Sequence, residues 1–240
     1  MVLVLAGNAT VNAAEIAIII DDVGRSLPAG EKIMTLPTSV AISLLPDTAN
    51  AETLARQAEA QGRPVLIHLP MQSESSHISE GRQLTLDMKG VQIEAFVEEV
   101  FQRLPQAEGL NNHQGSVVTQ SADTMRWLML ALGDRYFIDS RTTHLSVAAD
   151  TARALGVPVR SRDVFLDTIE YEQIEQSFAD LIEVARLHGS ALGIAHPSER
   201  TLEALATLLA ALPDDVRLVP PKSLLHRPAP PPGAVFALPR

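Results

Sequence analysis

The sequence is poor in three kinds of residue, and each shortage excludes or weakens a class of function. None of its 240 residues is cysteine, which excludes disulfides, zinc–thiolate sites and thiol nucleophiles. Lysine and arginine number 19 against 29 acidic residues, with no basic cluster, so nucleic acid is not expected as a partner. One tryptophan and two tyrosines provide few rings on which sugars can stack.

Long apolar runs are also scarce, and no stretch reaches the ~20 residues of a membrane span. The opening MVLVLAGNATVNAAE is apolar and then rich in small residues, and VNAA resembles a signal-peptidase site, although a charged start is missing. We expect residues 1–14 to be the remnant of an export signal or a disordered leader. The Pro-rich residues 227–240 are expected to form an extended or disordered tail.

Between these ends, short apolar runs alternate with amphipathic segments that mostly close on Gly or Pro. Apolar runs such as IAIIID and SALGIAHP have the character of buried strands, and segments such as SERTLEALATLLAALP have helical spacing. Strands that alternate with helices indicate βαβ units and a parallel sheet. Seven or eight such units without a linker predict one α/β domain, residues 15–226, shaped as a closed or nearly closed barrel.

Polar residues recur at the same place in most of these units, the C-terminal end of the strand. In parallel α/β barrels, these strand ends and the loops that follow them build the active site. A lone Asp there is usually a helix cap, and a lone His is usually a core residue, so the signal is their joint placement. The residues are Asp21 and Asp22, His68, His113, Asp139 with Arg141, Arg162 with Asp163, and His196.

The chemistry of this set is typical of a hydrolytic metal site. Adjacent aspartates on a strand point to opposite faces, so Asp21 and Asp22 can serve one site only where the strand unwinds. One can then bind a metal while the other remains a free base. Two histidines and one aspartate leave open coordination positions, an arrangement that suits Zn²⁺ or another divalent transition metal.

The motifs that carry these residues resemble, in order and spacing, the divergent polysaccharide deacetylase family, an offshoot of the metal-dependent carbohydrate esterases. The resemblance covers about residues 15–222. It rests on IAIIIDDVG, VLIHLPMQ, GLNNHQGS, YFIDSRTT, RDVFLD and GIAHP. It implies a distorted (β/α) barrel of about seven parallel strands in an exported, periplasmic bacterial protein.

The resemblance also implies roles for individual residues. Asp21 takes the place of the general base, Asp22 that of a metal ligand, and His196 that of the general acid. The esterases have two metal histidines about one turn apart, whereas here His68 is followed by LPMQ. We therefore expect His113 to be the second histidine ligand, with His77 as the alternative.

The resulting prediction is a zinc-type deacetylase that removes acetyl groups from an N-acetylated envelope glycan by metal-activated water. Asp139 or Asp163 is expected to orient His196, and Arg141 or Arg162 to fix that carboxylate. With these arginines, Ser116 completes the candidate substrate-binding residues. The alternative is an inactive barrel that retains metal and binds glycan or an envelope protein, because the Arg-x-Pro signature of the esterases is missing.

Overall fold

The computed structural model describes residues 13–74, 81–167 and 174–225. The expected leader up to residue 12, His77 and the expected tail lie outside these ranges. The strands are β1 (Ala14–Val23), β2 (Ala41–Leu44), β3 (Val65–Met71), β4 (Gly109–Gln114), β5 (Tyr136–Asp139), β6 (Val159–Ser161), β7 (Val164–Phe165), β8 (Ser190–Ala195) and β9 (Val216–Leu218). The helices are α1 (Leu27–Ile33), α2 (Ala51–Ala60), α3 (Gly90–Arg103), α4 (Ala122–Ala131), α5 (Ala148–Ala154), α6 (Ile174–His188) and α7 (Glu199–Ala210).

All strand pairs are parallel, and the order along the sheet is β6-β5-β4-β3-β2-β1-β8-β7, with β9 beside β1. Only residues 162 and 163 separate β6, which pairs with β5, from β7, which pairs with β8. One chain segment therefore connects the two ends of the sheet, giving a distorted barrel with seven strand positions. This confirms the predicted α/β barrel.

The two faces of the strands are both buried, which explains their continuous apolar runs. In β1, Ile16, Ile18 and Ile20 pack towards the helices, whereas Ala17 and Ile19 belong to a separate interior cluster with Leu66. Burying each large aliphatic side chain contributes about 1.5–3 kcal/mol. Among the described residues, no helix is long and apolar enough to cross a membrane.

The same alternation carries polar side chains into the barrel mouth. Two residues after Ile19, the inward position of β1 is occupied by Asp21. On the neighbouring strands, too, the inward-facing residues become polar towards the C-terminal end of the strand. The resulting buried polar layer contains Asp21, Ser43, His68 and Asn111.

The end of β1 is irregular, and this irregularity turns Asp22 towards the same mouth. The pairing of β1 with β2 shifts register between Ile20 and Val23, as at a β-bulge. Asp22 has a φ of 58°, in the left-handed region that costs an L-residue roughly 1–2 kcal/mol. Gly24 follows with a φ of 119°, and a Cβ there would lie 2.0 Å from the Thr48 Oγ1 atom. Two adjacent aspartates thus reach one site.

A candidate metal centre with an acid–base pair

Three potential metal ligands converge in the mouth of the barrel. The Asp22 Oδ1 atom lies 3.0 Å from His113 Nδ1 and 3.3 Å from His68 Nε2. The two ring nitrogens are 3.1 Å apart. Ligands at tetrahedral positions around a zinc ion are separated by about 3.3–3.6 Å, since each lies about 2.0–2.2 Å from the metal. The three atoms form a cluster of the size that one ion requires.

The bonding of Asp22 supports this interpretation. Its Oδ1 atom is buried and has no hydrogen-bond partner among the described residues, although two imidazoles lie within 3.3 Å of it. Its Oδ2 atom accepts a hydrogen bond of 2.8 Å from Arg25 Nη1. A buried carboxylate oxygen without a partner is costly, and a cation at the centre of the cluster would satisfy it. The residues fit a metal bound through one oxygen of Asp22.

Asn111 fixes the tautomer of His68 that metal binding requires. The Asn111 Nδ2 atom donates to both oxygens of Asp21, at 2.8 and 3.0 Å, so its Oδ1 atom must face the other way. That oxygen is 2.9 Å from His68 Nδ1, which therefore carries the proton and donates. The Nε2 atom of His68 is left with its lone pair directed at the ligand cluster.

The electrostatic field of the cluster favours a cation. Burial raises the pKa of Asp22, but His113 and His68 outweigh it and hold that pKa well below its ordinary value. Burial likewise lowers the pKa of His68, but Asp21 and Asp22 outweigh it and raise it. The same negative potential that favours a proton on His68 favours a divalent ion at this position.

Asp21 is placed differently from Asp22, as a base requires. Its side chain is buried, and it lies 3.6 Å from His68 Nε2, outside the three-atom cluster. Burial raises the pKa of Asp21 above its ordinary value, although the His68 imidazole acts in the opposite direction. A carboxylate with a raised pKa accepts a proton more readily than an exposed one.

The carboxylate that orients His196 is Asp167. Its Oδ1 atom is 3.0 Å from His196 Nδ1, and its Oδ2 atom accepts the His196 backbone N–H at 2.7 Å. Thr201 Oγ1 donates to the same Oδ2 atom at 3.1 Å. Burial alone would lower the pKa of His196, but Asp167, helped by Asp21, raises it to about 9. His196 is therefore a cation at neutral pH.

This arrangement corrects the expectation that Asp139 or Asp163 orients His196. Asp139 accepts hydrogen bonds from the Arg141 backbone N–H and the Ser146 hydroxyl, both at 2.9 Å. Asp163 accepts from Arg160 Nη2 at 2.7 Å and from the Leu192 backbone N–H at 2.8 Å. Both carboxylates stabilise loops and strand contacts.

The other candidates take up positions around the mouth. Neither arginine holds the carboxylate beside His196: Arg162 donates to the Ser140 and Arg141 carbonyl oxygens, at 2.8 and 3.0 Å. The Ser116 hydroxyl accepts the Glu74 backbone N–H at 3.0 Å and joins two loops. The expected ligand trio is thus brought together, and of the expected substrate-binding residues Arg162 contacts Arg141, whereas Ser116 contacts a different loop.

Two residues of the candidate site, Asp167 and Asn111, were not expected from the sequence. Only the position of Asp167 could have been predicted from the strand pattern. Asp167 ends the RDVFLD motif two residues after the inward-facing Phe165, so the alternation of β7 already directs it to the mouth. Asn111 stands two residues before His113 on the same face of β4. A neutral amide in an apolar run gives no indication of chemistry until its partners are known.

Comparisons with known proteins identify the family of the chain. Residues 18–225 match the family model described as divergent polysaccharide deacetylase, as the motifs indicated. An uncharacterized protein of Haemophilus influenzae is 37% identical over 209 residues, which is 86% of this chain and 75% of that protein. The uncharacterized protein YibQ of Escherichia coli K12 is 36% identical over 98% of this chain and 76% of its own length.

A solved structure shares the fold. The crystal structure of an uncharacterized protein from Agrobacterium tumefaciens C58 superposes with a TM-score of 0.80 at 20% identity. The alignment covers 89% of each chain. At this identity the likeness supports the distorted barrel alone.

Proposed function

The chain belongs to the divergent polysaccharide deacetylase family, and we propose that it is a metal-dependent hydrolase that removes acetyl groups from an N-acetylated glycan of the bacterial envelope. The observation that carries this proposal is the buried, unpartnered Oδ1 atom of Asp22 between two imidazole nitrogens. Beside it lie a separate buried base, Asp21, and a separate protonated acid, His196. Metal-dependent hydrolysis of an amide uses these three functions together: a Lewis acid, a base for the attacking water and an acid for the leaving amine.

Asp22, His68 and His113 would hold the ion, and zinc suits two imidazoles and one carboxylate. Such an ion, when bound, supplies Lewis acidity that polarises a carbonyl group and lowers the pKa of water. Arg25 keeps the second oxygen of Asp22 engaged, so that only Oδ1 is directed into the cluster. Asn111 keeps the proton of His68 on Nδ1, away from the cluster.

Asp21 acts as the general base in this proposal. It receives the proton of the attacking water as the new carbon–oxygen bond forms at the acetyl carbonyl. Both of its oxygens accept hydrogen bonds from Asn111, which holds the carboxylate plane in one orientation. Its burial excludes the bulk water that would otherwise stabilise its charged form and weaken it as a base.

His196 acts as the general acid. The departing group is an amine, which leaves poorly unless its nitrogen is protonated as the carbon–nitrogen bond breaks. Asp167 binds the Nδ1 side of the ring, so Nε2 carries the proton that is transferred. The products are acetate and a glycan amine.

The proposal extends to location and organisation. An envelope substrate requires an exported, periplasmic protein, as the family resemblance implies and as an export signal within residues 1–14 would provide. We assign the whole activity to a single domain, residues 15–226.

Zinc analysis together with acetate release tests the proposal. The purified protein is assayed with chitin oligomers and peptidoglycan fragments, before and after treatment with a chelator. We expect about one zinc per chain and acetate release that zinc restores after chelation. Bound zinc without acetate release from either substrate would instead favour an inactive barrel that retains metal and binds glycan.

A further inference from the structure

Most basic side chains that the structure describes have an acidic partner, as expected in a chain with excess negative charge. Salt bridges join carboxylates to Arg25, Lys32, Arg56, Arg82, Arg103, Arg153, Arg160, Arg186, Arg217 and Lys222. Arg141 and Arg162, both beside the barrel mouth, form no salt bridge within the described ranges. No carboxylate lies within salt-bridge distance of either guanidinium in this part of the chain, although the Asp139, Asp163 and Asp21 carboxylates are near enough to act on Arg162 electrostatically.

Arg162 is held in place by two hydrogen bonds and a ring contact, and some of its N–H groups have no partner among these contacts. Its Nε and Nη2 atoms donate to the carbonyl oxygens of Ser140 and Arg141, at 2.8 and 3.0 Å. The guanidinium carbon lies 3.5 Å from the centre of the Phe165 ring. Burial and the nearby Arg141 lower the pKa of Arg162 to about 10, although the nearby aspartates act in the opposite direction, so it stays charged at neutral pH. A guanidinium has five N–H donors, and these two contacts leave the others for a ligand.

Arg141 is exposed, and its backbone is strained. Its φ is 48°, a conformation that costs a residue with a β-carbon roughly 1–2 kcal/mol. Asp139 maintains this turn by accepting the Arg141 backbone N–H at 2.9 Å. The strained backbone places a second guanidinium-bearing residue against the fixed Arg162, although like charges repel.

We propose that Arg141 and Arg162 form an anion-binding subsite that receives the carboxylate of an acidic acetylated sugar. Two guanidinium groups present the planar, paired donors that carboxylates accept in bidentate fashion. The inference rests on the proposed function, because it names the class of glycan that the same site takes.

The subsite is joined directly to the reacting centre. Phe165 contacts both Arg162 and His196: the guanidinium carbon lies 3.5 Å from the centre of its ring, and the His196 ring stacks at 6.1 Å with an inclination of 27°. Ser140, whose carbonyl binds Arg162, also accepts a hydrogen bond from Asn111 at 3.1 Å through its hydroxyl. The anion therefore lies on the acetylated sugar itself or on the adjoining one.

A matched pair of sugars tests the subsite without requiring turnover. N-acetylmuramic acid differs from N-acetylglucosamine by a lactyl ether that carries a carboxylate. Both are titrated at low salt into the zinc-supplemented protein, and binding is followed by NMR. We expect the acidic sugar to bind at least about fivefold more tightly, since a charge-assisted bidentate contact is added. Oligogalacturonate is titrated in the same way. Its binding shows whether the subsite accepts the carboxylate of a uronate as well as that of a lactyl ether.

Two variants complete the experiment. Arg141→Gln should abolish the preference for the acidic sugar, whereas Arg126→Gln, an exposed arginine on α4, should retain it. Equal binding of the two sugars, no measurable binding of either acid, or a preference that survives in Arg141→Gln would overturn the subsite. Acetate release is not used as the readout. Failure of the proposed hydrolysis is therefore distinguishable from failure of the subsite.

Discussion

The Asp22 Oδ1 atom lies 3.0 Å from the His113 Nδ1 atom, yet that buried oxygen accepts no hydrogen bond within the described structure. A buried carboxylate oxygen without an aligned donor is costly, and a cation would satisfy it. A divalent ion bound to both atoms, and to His68 Nε2, would account for the arrangement.

Replacement of His113 by Ala should remove most of the bound zinc. The variant retains only Asp22 and His68, and two protein ligands bind zinc much more weakly than three. Zinc per chain after dialysis measures the effect, and His144→Ala, an exposed histidine in the loop after β5, is the matched control. Full occupancy in His113→Ala would remove this residue from the ligand set and leave His77 as the alternative.

Replacement of Asn111 by Ala should be strongly destabilising. It removes the acceptor of the Ser43 hydroxyl and of His68 Nδ1, and also the donor to Asp21, all in a buried layer. Leaving several buried polar groups unsatisfied costs about 2–4 kcal/mol, whereas Ser43→Ala should cost about 1 kcal/mol. Urea unfolding of the two variants measures the difference. Equal losses would show that Asn111 does not organise this layer.

Replacement of His196 by Gln should reduce stability in a pH-dependent way. Because the folded-state pKa is about 9, above its ordinary 6.5, the stabilisation is complete below pH 6.5 and is lost as the pH rises through about 9. About 43% of the side chain is exposed, so solvent screens the interaction, and we expect no more than about 1 kcal/mol. Urea unfolding of the metal-free protein at pH 6 and pH 9.5 measures it. A difference that grows with pH would contradict the assignment.

Replacement of Asp167 by Asn should slow acetate release by roughly 10- to 100-fold, because His196 loses both its orientation and its raised pKa. The alkaline limb of the pH–rate profile should also move to lower pH, which a purely structural role would not cause. Asp163→Asn is the control, since Asp163 binds Arg160 instead. An unchanged profile in Asp167→Asn would exclude it as the positioning residue.

Sequence patterns could predict the barrel and its ligand cluster because both follow from the alternation of strand residues. His68 and His113 continue the inward positions of apolar strands, so their convergence is readable in advance. The same alternation explains why Asp139 does not contact His196. Asp139 directly follows the inward Ile138, so its side chain lies on the other face of β5, where its carboxylate contacts Ser146. Its position at a strand end was a weaker guide than the face to which its side chain points.

Other features depend on partners that are distant in sequence. The role of Asn111 is created by contacts 43 and 90 residues away, with His68 and Asp21. Helix α1 has only seven residues and contains Gly30, so its sequence carries a weak helical pattern. A Cβ at Gly30 would lie 2.4 Å from the Leu54 methyl groups, so glycine gives α1 and α2 a close approach there.

Acetate release per bound zinc in Asp21→Asn tests most directly whether Asp21 is the general base and Asp22 the metal ligand. Asp21 lies outside the ligand cluster, so the variant should bind zinc nearly as well as the wild-type protein. Because the general base is lost, acetate release per zinc should fall by about 10²- to 10⁴-fold. Release at the wild-type rate per zinc would contradict the account and place the base elsewhere.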